Sequence, residues 1–260
     1  MSAAEENLYV RAVSLREHPP EDSWLSALTV VRCLAAHPLE FHRPVTFLVG
    51  ENGVGKSTII EALAVALGFN PEGGTRNFHF STEDSHSELH RYLRVARGAP
   101  FPRDGFFLRA ESFYNVASNI DQMDREPGFG PPVIDSYGGQ SLHRQSHGES
   151  FLALAEHRFG GHGLYILDEP EAALSPMRLM RLMARMRALV NDRSQFIIST
   201  HAPMLMAYPE AEVYEITRQG IASVSCRDTA HWQITRRFLE NPEKMLRYLF
   251  EEDGEPKGIL

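Results

Sequence analysis

The sequence predicts an α/β fold with a largely parallel central sheet. Two observations carry this. The runs "PVTFLVG" (44–50), "GLYILDEP" (163–170) and "SQFIIST" (194–200) are short and apolar without polar alternation, as strands buried on both faces require. Between them lie segments with helical spacing and helix stops, such as "KSTIIEALAVALG" (56–68), closed by Gly68 and the turn "NPEGG". Strands that alternate with helices in this way pair in parallel, because the helix carries the chain back across the sheet.

In chain order, "LYVRAVSLRE" (8–17) alternates enough for a strand, and "HPPED" (18–22) reads as a turn. "LTVVRCL" (28–34) reads as a second strand. "STEDSHSELHRYLRVAR" (81–97) reads as a helix capped by Ser81 or Thr82, with acidic residues in its first turn. "DGFFLRAES" (104–112) reads as a strand, and the Gly-, Pro-, Asp- and Gln-rich residues 118–145 as loop. "ESFLALAEHRF" (149–159) is helical and stops at Gly160-Gly161. "SPMRLMRLMARMRALVND" (175–192) is a helix with Pro176 in its first turn. "AEVYEITRQGIASVS" (211–225) reads as a hairpin, and 232–251 as mostly helix. The chain is expected to be one domain over 1–260. Its parts are a core lobe from 1–70 and 160–230, a smaller helical lobe over 71–159, and a helical tail over 231–260.

A length of 260 residues suffices for one large domain, and 43% hydrophobic with 23% charged residues is an ordinary globular balance. The net charge of −8 argues against a strongly basic nucleic-acid binder, although a local basic face is still compatible with it. Cys33 and Cys226 form no zinc pattern and call for no disulfide, which fits a reducing compartment. No secretory leader and no apolar run near membrane-spanning length is read, so a cytoplasmic chain without membrane insertion is expected.

The strongest motif is "GENGVGKST" (50–58), which follows a predicted strand and opens a predicted helix. It satisfies the phosphate-loop pattern Gly-x4-Gly-Lys-Ser/Thr in the context that pattern requires. Gly50, Gly53 and Gly55 let backbone N–H groups curl around phosphate oxygens. Lys56 places a point charge on the β- and γ-phosphates, and Ser57 can ligate Mg²⁺. The helix N-terminus adds a favourable partial charge. The candidate ATP-binding loop is therefore Gly50, Glu51, Asn52, Gly53, Val54, Gly55, Lys56, Ser57 and Thr58.

In "LYILDEPE" a buried strand delivers Asp168 and Glu169 to the edge where the phosphate loop sits. Asp168 would complete the Mg²⁺ shell with Ser57, and Glu169 would polarise the attacking water. "QFIISTHAP" repeats the arrangement: a buried strand ends in Thr200 and then His201, which could hydrogen-bond the γ-phosphate. The turn "SHGES" (146–150), with Ser146, His147, Gly148 and Glu149 opening a helix, would on its own be an ordinary N-cap.

Taken together these residues resemble the ABC-class P-loop ATPases, specifically the soluble branch that includes the heads of the RecF, Rad50, SMC and OLD proteins. That class orders its motifs as phosphate loop, signature, Walker B strand, D-loop and switch histidine. Here the order is "GENGVGKST", "SHGES", "LYILDEP", "EAALSP", "STHAP", across about residues 28–205. The run "DEPEAALSP" looks like the RecF and OLD form, and the whole chain looks like a family of stand-alone ATPases. The resemblance implies an ABC-ATPase head with N-terminal antiparallel strands and a smaller helical signature lobe. It makes Lys56, Glu169 and His201 the catalytic residues. It also makes "SHGE" a variant signature, so that Ser146, His147, Gly148 and Glu149 would meet ATP held by a second subunit. An ATP-dependent head-to-head homodimer acting on an unidentified protein or nucleic-acid partner follows, with DNA repair and phage defence common among relatives.

The sequence departs from that class in places. His147 stands where glycine is common, and Ser175 replaces the usual D-loop aspartate. No Q-loop glutamine is evident; Glu111, Ser112 and His79 are the candidates for its position. Other functions compatible with the motifs are a slow ATP-gated switch, the ATPase subunit of a membrane transporter, and, more weakly, a small-molecule kinase. Arg178, Arg181 and Arg185 share a helix face beside Met177, Met180, Met183 and Met186. They read first as the solvated face of a packed helix, and second as a nucleic-acid surface. His86 and His90, four apart, read as a solvated helix face rather than a metal site. Arg76 and Arg109 could contact phosphate or form ordinary salt bridges.

Overall fold

The computed structural model describes residues 8–76, 87–125 and 132–251. Six strands form the central sheet: β3 (Val45–Gly50), β5 (Asp104–Arg109), β6 (Gly163–Asp168), β7 (Gln195–Ser199), β8 (Glu212–Ile216) and β9 (Ile221–Ser223). Their spatial order is β5-β6-β7-β3-β8-β9. All pairs are parallel except β8 with β9, the expected hairpin. The mostly parallel α/β class read from the sequence is the fold observed.

The period of two along these strands divides the core. Phe47, Val49, Phe106, Leu108, Tyr165, Leu167, Phe196 and Ile198 face one side. There they pack on α4 (Phe113–Met123), α5 (His147–Ala153) and α6 (Pro176–Asn191). Leu48, Phe107, Leu164, Ile166, Ile197 and Ile216 face the other. They meet α3 (Lys56–Ala66) and a small antiparallel sheet of order β2-β1-β4. That sheet comprises β1 (Val10–Leu15), β2 (Leu39–Glu40) and β4 (Leu93–Arg97). The buried Gln195 side chain ties it to the core: its oxygen accepts from the N–H groups of Tyr9 (2.8 Å) and Val10 (2.9 Å), and its amide donates to the Val10 carbonyl (2.9 Å).

Several expected elements differ. Residues 28–34 are not a strand: Leu28 caps helix α2 (Thr29–Ala36), which holds the rest and is preceded by the single turn α1 (Trp24–Ala27). β-branched residues suggested a strand, yet Val30, Val31 and Leu34 bury one helical face, and packing overrides propensity. The helix expected over 81–97 falls partly outside the described residues. Its described part is a 3₁₀ turn, Glu88–Tyr92, followed by β4. The expected caps Ser81 and Thr82 lie outside the described residues; Ser87 caps the 3₁₀ turn, accepting from the Leu89 N–H (3.2 Å), and the chain then extends because β1 offers an open edge at Leu15↔Leu93. Within 118–145, read as loop, α4 continues to Met123. Its buried Phe113, Val116, Ala117 and Ile120 keep helical spacing under the polar residues between them. The stretch 71–159 is accordingly not helical throughout, since β4 and β5 belong to the two sheets.

The arginine face of α6 is the partly solvated face of a packed helix, its guanidinium groups held by neighbouring carboxylates and carbonyls. Arg178 pairs with Glu149 (2.9 Å) and Arg181 with Glu156 (2.8 Å). Arg185 donates to the carbonyls of Ala155 (3.1 Å) and Phe159, at the π-helical turn Leu154–Arg158 that follows α5. A π-helical end leaves carbonyls that need outside donors. Arg185→Ala should therefore lower the melting temperature by about 3–6 °C, equivalent to about 1–2 kcal/mol, measured by thermal denaturation. Among the described residues, no helix is long and apolar enough to cross a membrane.

Candidate nucleotide-binding site

Strands β3, β6 and β7 run parallel with Leu48 opposite Ser199 and Asp168 opposite Ser199, so their C-terminal ends share one edge. The phosphate loop leaves β3 at that edge and enters α3. Gly50, Gly53 and Gly55 all have positive φ (145°, 81° and 102°), which turns successive N–H groups inward. A Cβ on Gly50 would lie 2.1 Å from the Ile216 carbonyl oxygen, and one on Gly55 would lie 2.6 Å from Val30, so both glycines are also demanded by packing. A Cβ on Gly53 would meet nothing within 4 Å, so the loop's mouth is open there.

Lys56 is buried, and its ammonium donates to the Glu51 carbonyl (3.0 Å) across the loop. Burial lowers its pKa from the ordinary lysine value, and Glu169, Asp168 and Glu171 oppose that shift. Asp168 is buried at the end of β6. Its carboxylate accepts from the Ser199 hydroxyl, lies beside Ser57 and sits 3.5 Å from the Arg109 Nε. Burial nevertheless pushes its pKa up from the usual aspartate value. A buried carboxylate beside the loop's serine hydroxyl offers the oxygen donors a small hard cation takes. Ser57 and Asp168, expected to hold Mg²⁺, are therefore adjacent, and the open loop with its inward N–H groups suits the phosphates of ATP.

Glu169 has φ 49°, a left-handed backbone rarely adopted by a non-glycine residue. Its N–H bonds the Ser199 carbonyl (3.1 Å), and its carboxylate lies 3.1 Å from the His201 Nε2. This uncommon conformation brings the expected general base and the switch histidine into contact. His201 is held in turn by Glu171, whose carboxylate accepts from the Thr200 hydroxyl (2.8 Å) and from the His201 N–H. Burial raises the Glu171 pKa.

The turn at 146–149 opens α5. Ser146 donates its N–H (3.0 Å) and hydroxyl (2.6 Å) to Glu149, a capping box that Arg178 braces from α6. Ser146 and His147 are exposed, while Gly148 is buried against the Ala173 carbonyl, 2.7 Å from where its Cβ would stand.

Three residues were missed by sequence reasoning. Ser199 and Glu171 bond the site residues directly, and His231, on helix α8 (Ala230–Glu240), lies 3.0 Å from His201. Arg109 takes the salt-bridging alternative read from the sequence: it bridges Glu61 of α3 (2.5 Å), Asp168 (3.5 Å) and Glu111 (3.6 Å). Arg76 lies over the Phe69 ring, 5.2 Å from its centre. His90 bonds the Ser87 carbonyl (3.1 Å), whereas His86 and the Q-loop candidate His79 lie outside the described residues. Among the described residues, no cluster of three or more His, Cys, Asp or Glu is placed to hold a metal ion by itself.

Comparison with known proteins agrees with this architecture. An AAA-domain family model matches residues 30–103. A second AAA-domain model, described with reference to an AbiEii toxin of a type IV TA system, matches residues 137–207. The sequence matches no curated protein. Among solved structures, CbiO1 from Clostridium perfringens, part of the ABC transporter complex CbiONQ, aligns at 16% identity with a TM-score of 0.52; the alignment covers 94% of this chain and 100% of that one. The SMC head domain from Thermotoga maritima aligns at 17% identity over 84% of this chain and 99% of that one, with a TM-score of 0.41. The fold is that of an ABC-like P-loop ATPase, and the two AAA-domain matches fall on its two halves.

Proposed function

We propose that the chain binds ATP with Mg²⁺, dimerises head-to-head on it, and hydrolyses it to drive a change in a partner. The observation that carries this is the convergence of Lys56, Ser57–Asp168 and Glu169–His201 on one sheet edge. Lys56 and the loop N–H groups would bind and orient the β- and γ-phosphates. Ser57 and Asp168 would hold Mg²⁺, which when bound neutralises charge developing on the phosphates. Glu169 would orient the attacking water and take its proton. His201, reaching Glu169 through Nε2, would donate to the γ-phosphate side of the same pocket.

The second half of the reading concerns the exposed turn at Ser146 and His147. The first N–H groups of α5 are open to an anion there, and the Ser146 hydroxyl would exchange its bond to Glu149 for one to that anion. A second subunit's ATP would fill it, giving a C2 sandwich in which each nucleotide touches both chains. In this reading α4, the turns that follow it and α5 form the signature lobe, and the remaining sheet and helices form the core. Cys33 and Cys226 are free thiols, which accords with action in the cytoplasm. The partner, protein or nucleic acid, is left open, and the CbiO1 likeness selects no membrane partner because it is a likeness of fold.

Gly148 tests the sandwich. Gly148→Ala would press a methyl on the Ala173 carbonyl and Arg178, which displaces the turn without touching the chain's own phosphate loop. ATP binding by isothermal titration should persist, while ATP-dependent dimerisation seen by light scattering weakens about tenfold or more. Unchanged dimerisation would count against the role assigned to this turn.

A further inference from the structure

His201 is not alone behind Glu169. Its Nδ1 lies 3.0 Å from the Nε2 of His231, so the order Glu169–His201–His231 forms an unbroken line of contacts, 3.1 Å and 3.0 Å long. His231 comes from α8, outside the part of the chain that carries the motifs. The first turn of that helix is firmly seated. Thr229 is fully buried and caps it through the Trp232 N–H (3.3 Å), while its hydroxyl bonds the Cys226 carbonyl (2.8 Å). The Ala230 N–H donates to Glu215 of β8 (3.1 Å). Beyond this turn no residue of α8 is buried, so the anchor serves chiefly to place His231.

Proton placement along the line is constrained. In the 3.1 Å contact with Glu169 the carboxylate oxygen is the acceptor and the His201 Nε2 the donor. If His201 is neutral, its bare Nδ1 accepts from the His231 Nε2–H, and the His231 Nδ1 is left bare. Among the described residues, that Nδ1 is buried without a partner. An unpaired acceptor there is tolerable, whereas any arrangement that protonates it strands a buried N–H donor. The groups facing the pair are Glu169 and Glu171 at His201, and Lys56, Glu51 and Glu215 at His231.

We propose that His231 is a positioning residue for ATP hydrolysis: by donating from Nε2 it fixes His201 as the neutral imidazole whose Nε2–H points at Glu169 and the γ-phosphate pocket. This rests on the ATPase reading for its catalytic consequence, but not for the tautomer itself.

Two measurements test it. In steady-state ATP hydrolysis, His231→Ala should lower kcat about tenfold or more with KM within about twofold, as loss of a group that orients another does. His231→Gln, which restores an amide donor at similar reach, should recover most of kcat. In nitrogen-edited NMR of the nucleotide-free protein, the His201 ring should show the Nε2-protonated form in the wild type and in His231→Gln, and lose it in His231→Ala; assignment comes from His201→Asn. Wild-type kcat with an unchanged ring signature in His231→Ala would overturn the proposal. So would a Gln variant as impaired as Ala, and that variant carries the test if Ala fails to fold. An enzyme whose Lys56→Ala variant turns over ATP normally would refute the ATPase reading instead, while the NMR result would stand or fall by itself.

Discussion

Lys56→Ala should abolish Mg²⁺-dependent ATP turnover, by about 100-fold or more, while the chain stays folded. Loss of one preorganised charge aimed at transferring phosphate has consequences of this size, because the interaction acts in a site shielded from water. The structure shows why the fold should survive. The Lys56 ammonium makes one hydrogen bond, to the Glu51 carbonyl, and burial lowers its pKa even with Asp168, Glu169 and Glu171 nearby. A lysine whose folded-state pKa is lowered does not hold the fold together through its charge; folding disfavours the ammonium. The apo protein should therefore melt within a few degrees of the wild type in Lys56→Ala, with the buried methylenes the main loss. Two assays decide the matter: phosphate release with and without Mg²⁺, and thermal denaturation. Undiminished turnover would remove the phosphate loop from the mechanism, and a collapsed melting curve would show that the lysine is structural.

The parts of this site that the sequence made legible are those whose chemistry is local. The phosphate loop is nine consecutive residues whose glycines, lysine and serine each answer a need within the loop, and Gly50, Gly53 and Gly55 all take the positive φ that the motif demands. The apolar strands were legible for the same reason, since burial on both faces leaves its mark in five or six adjacent residues. What escaped was long-range. Ser199 looks like any strand-end serine until β7 is placed beside β6, where its hydroxyl meets Asp168. Arg109 faces Asp168 only because β5 pairs with β6 in a register that sets the two opposite one another. His231 lies 30 residues from His201 in a helix that no motif marks. Residues 28–34 and 88–97 differ because local propensity favours one structure, while an open strand edge and the core favour another.

Glu169→Gln should bind ATP, hydrolyse it at least 100-fold more slowly, and accumulate as a dimer when ATP and Mg²⁺ are present. The amide keeps the shape of the side chain and the left-handed backbone of Glu169, so the loop and the Ser57–Asp168 pair are undisturbed. It removes the carboxylate proposed to take a proton from the attacking water. If the bound nucleotide bridges two chains, blocking hydrolysis leaves the bridge in place, and mass action holds the dimer together at nucleotide concentrations above its dissociation constant. Ser146→Arg supplies the control. Ser146 is exposed at the head of α5, so a bulky side chain there should leave ATP binding intact and block the second subunit. Light scattering on the single variant and on the double variant, each with and without ATP and Mg²⁺, separates the possibilities. A monomer-to-dimer shift present in Glu169→Gln and absent from Glu169→Gln with Ser146→Arg would establish that the turn completes a partner's site. A monomer throughout, with ATP binding measured independently, would mean that this head does not pair with itself, and the exposed turn would then have to be matched to a different protein surface.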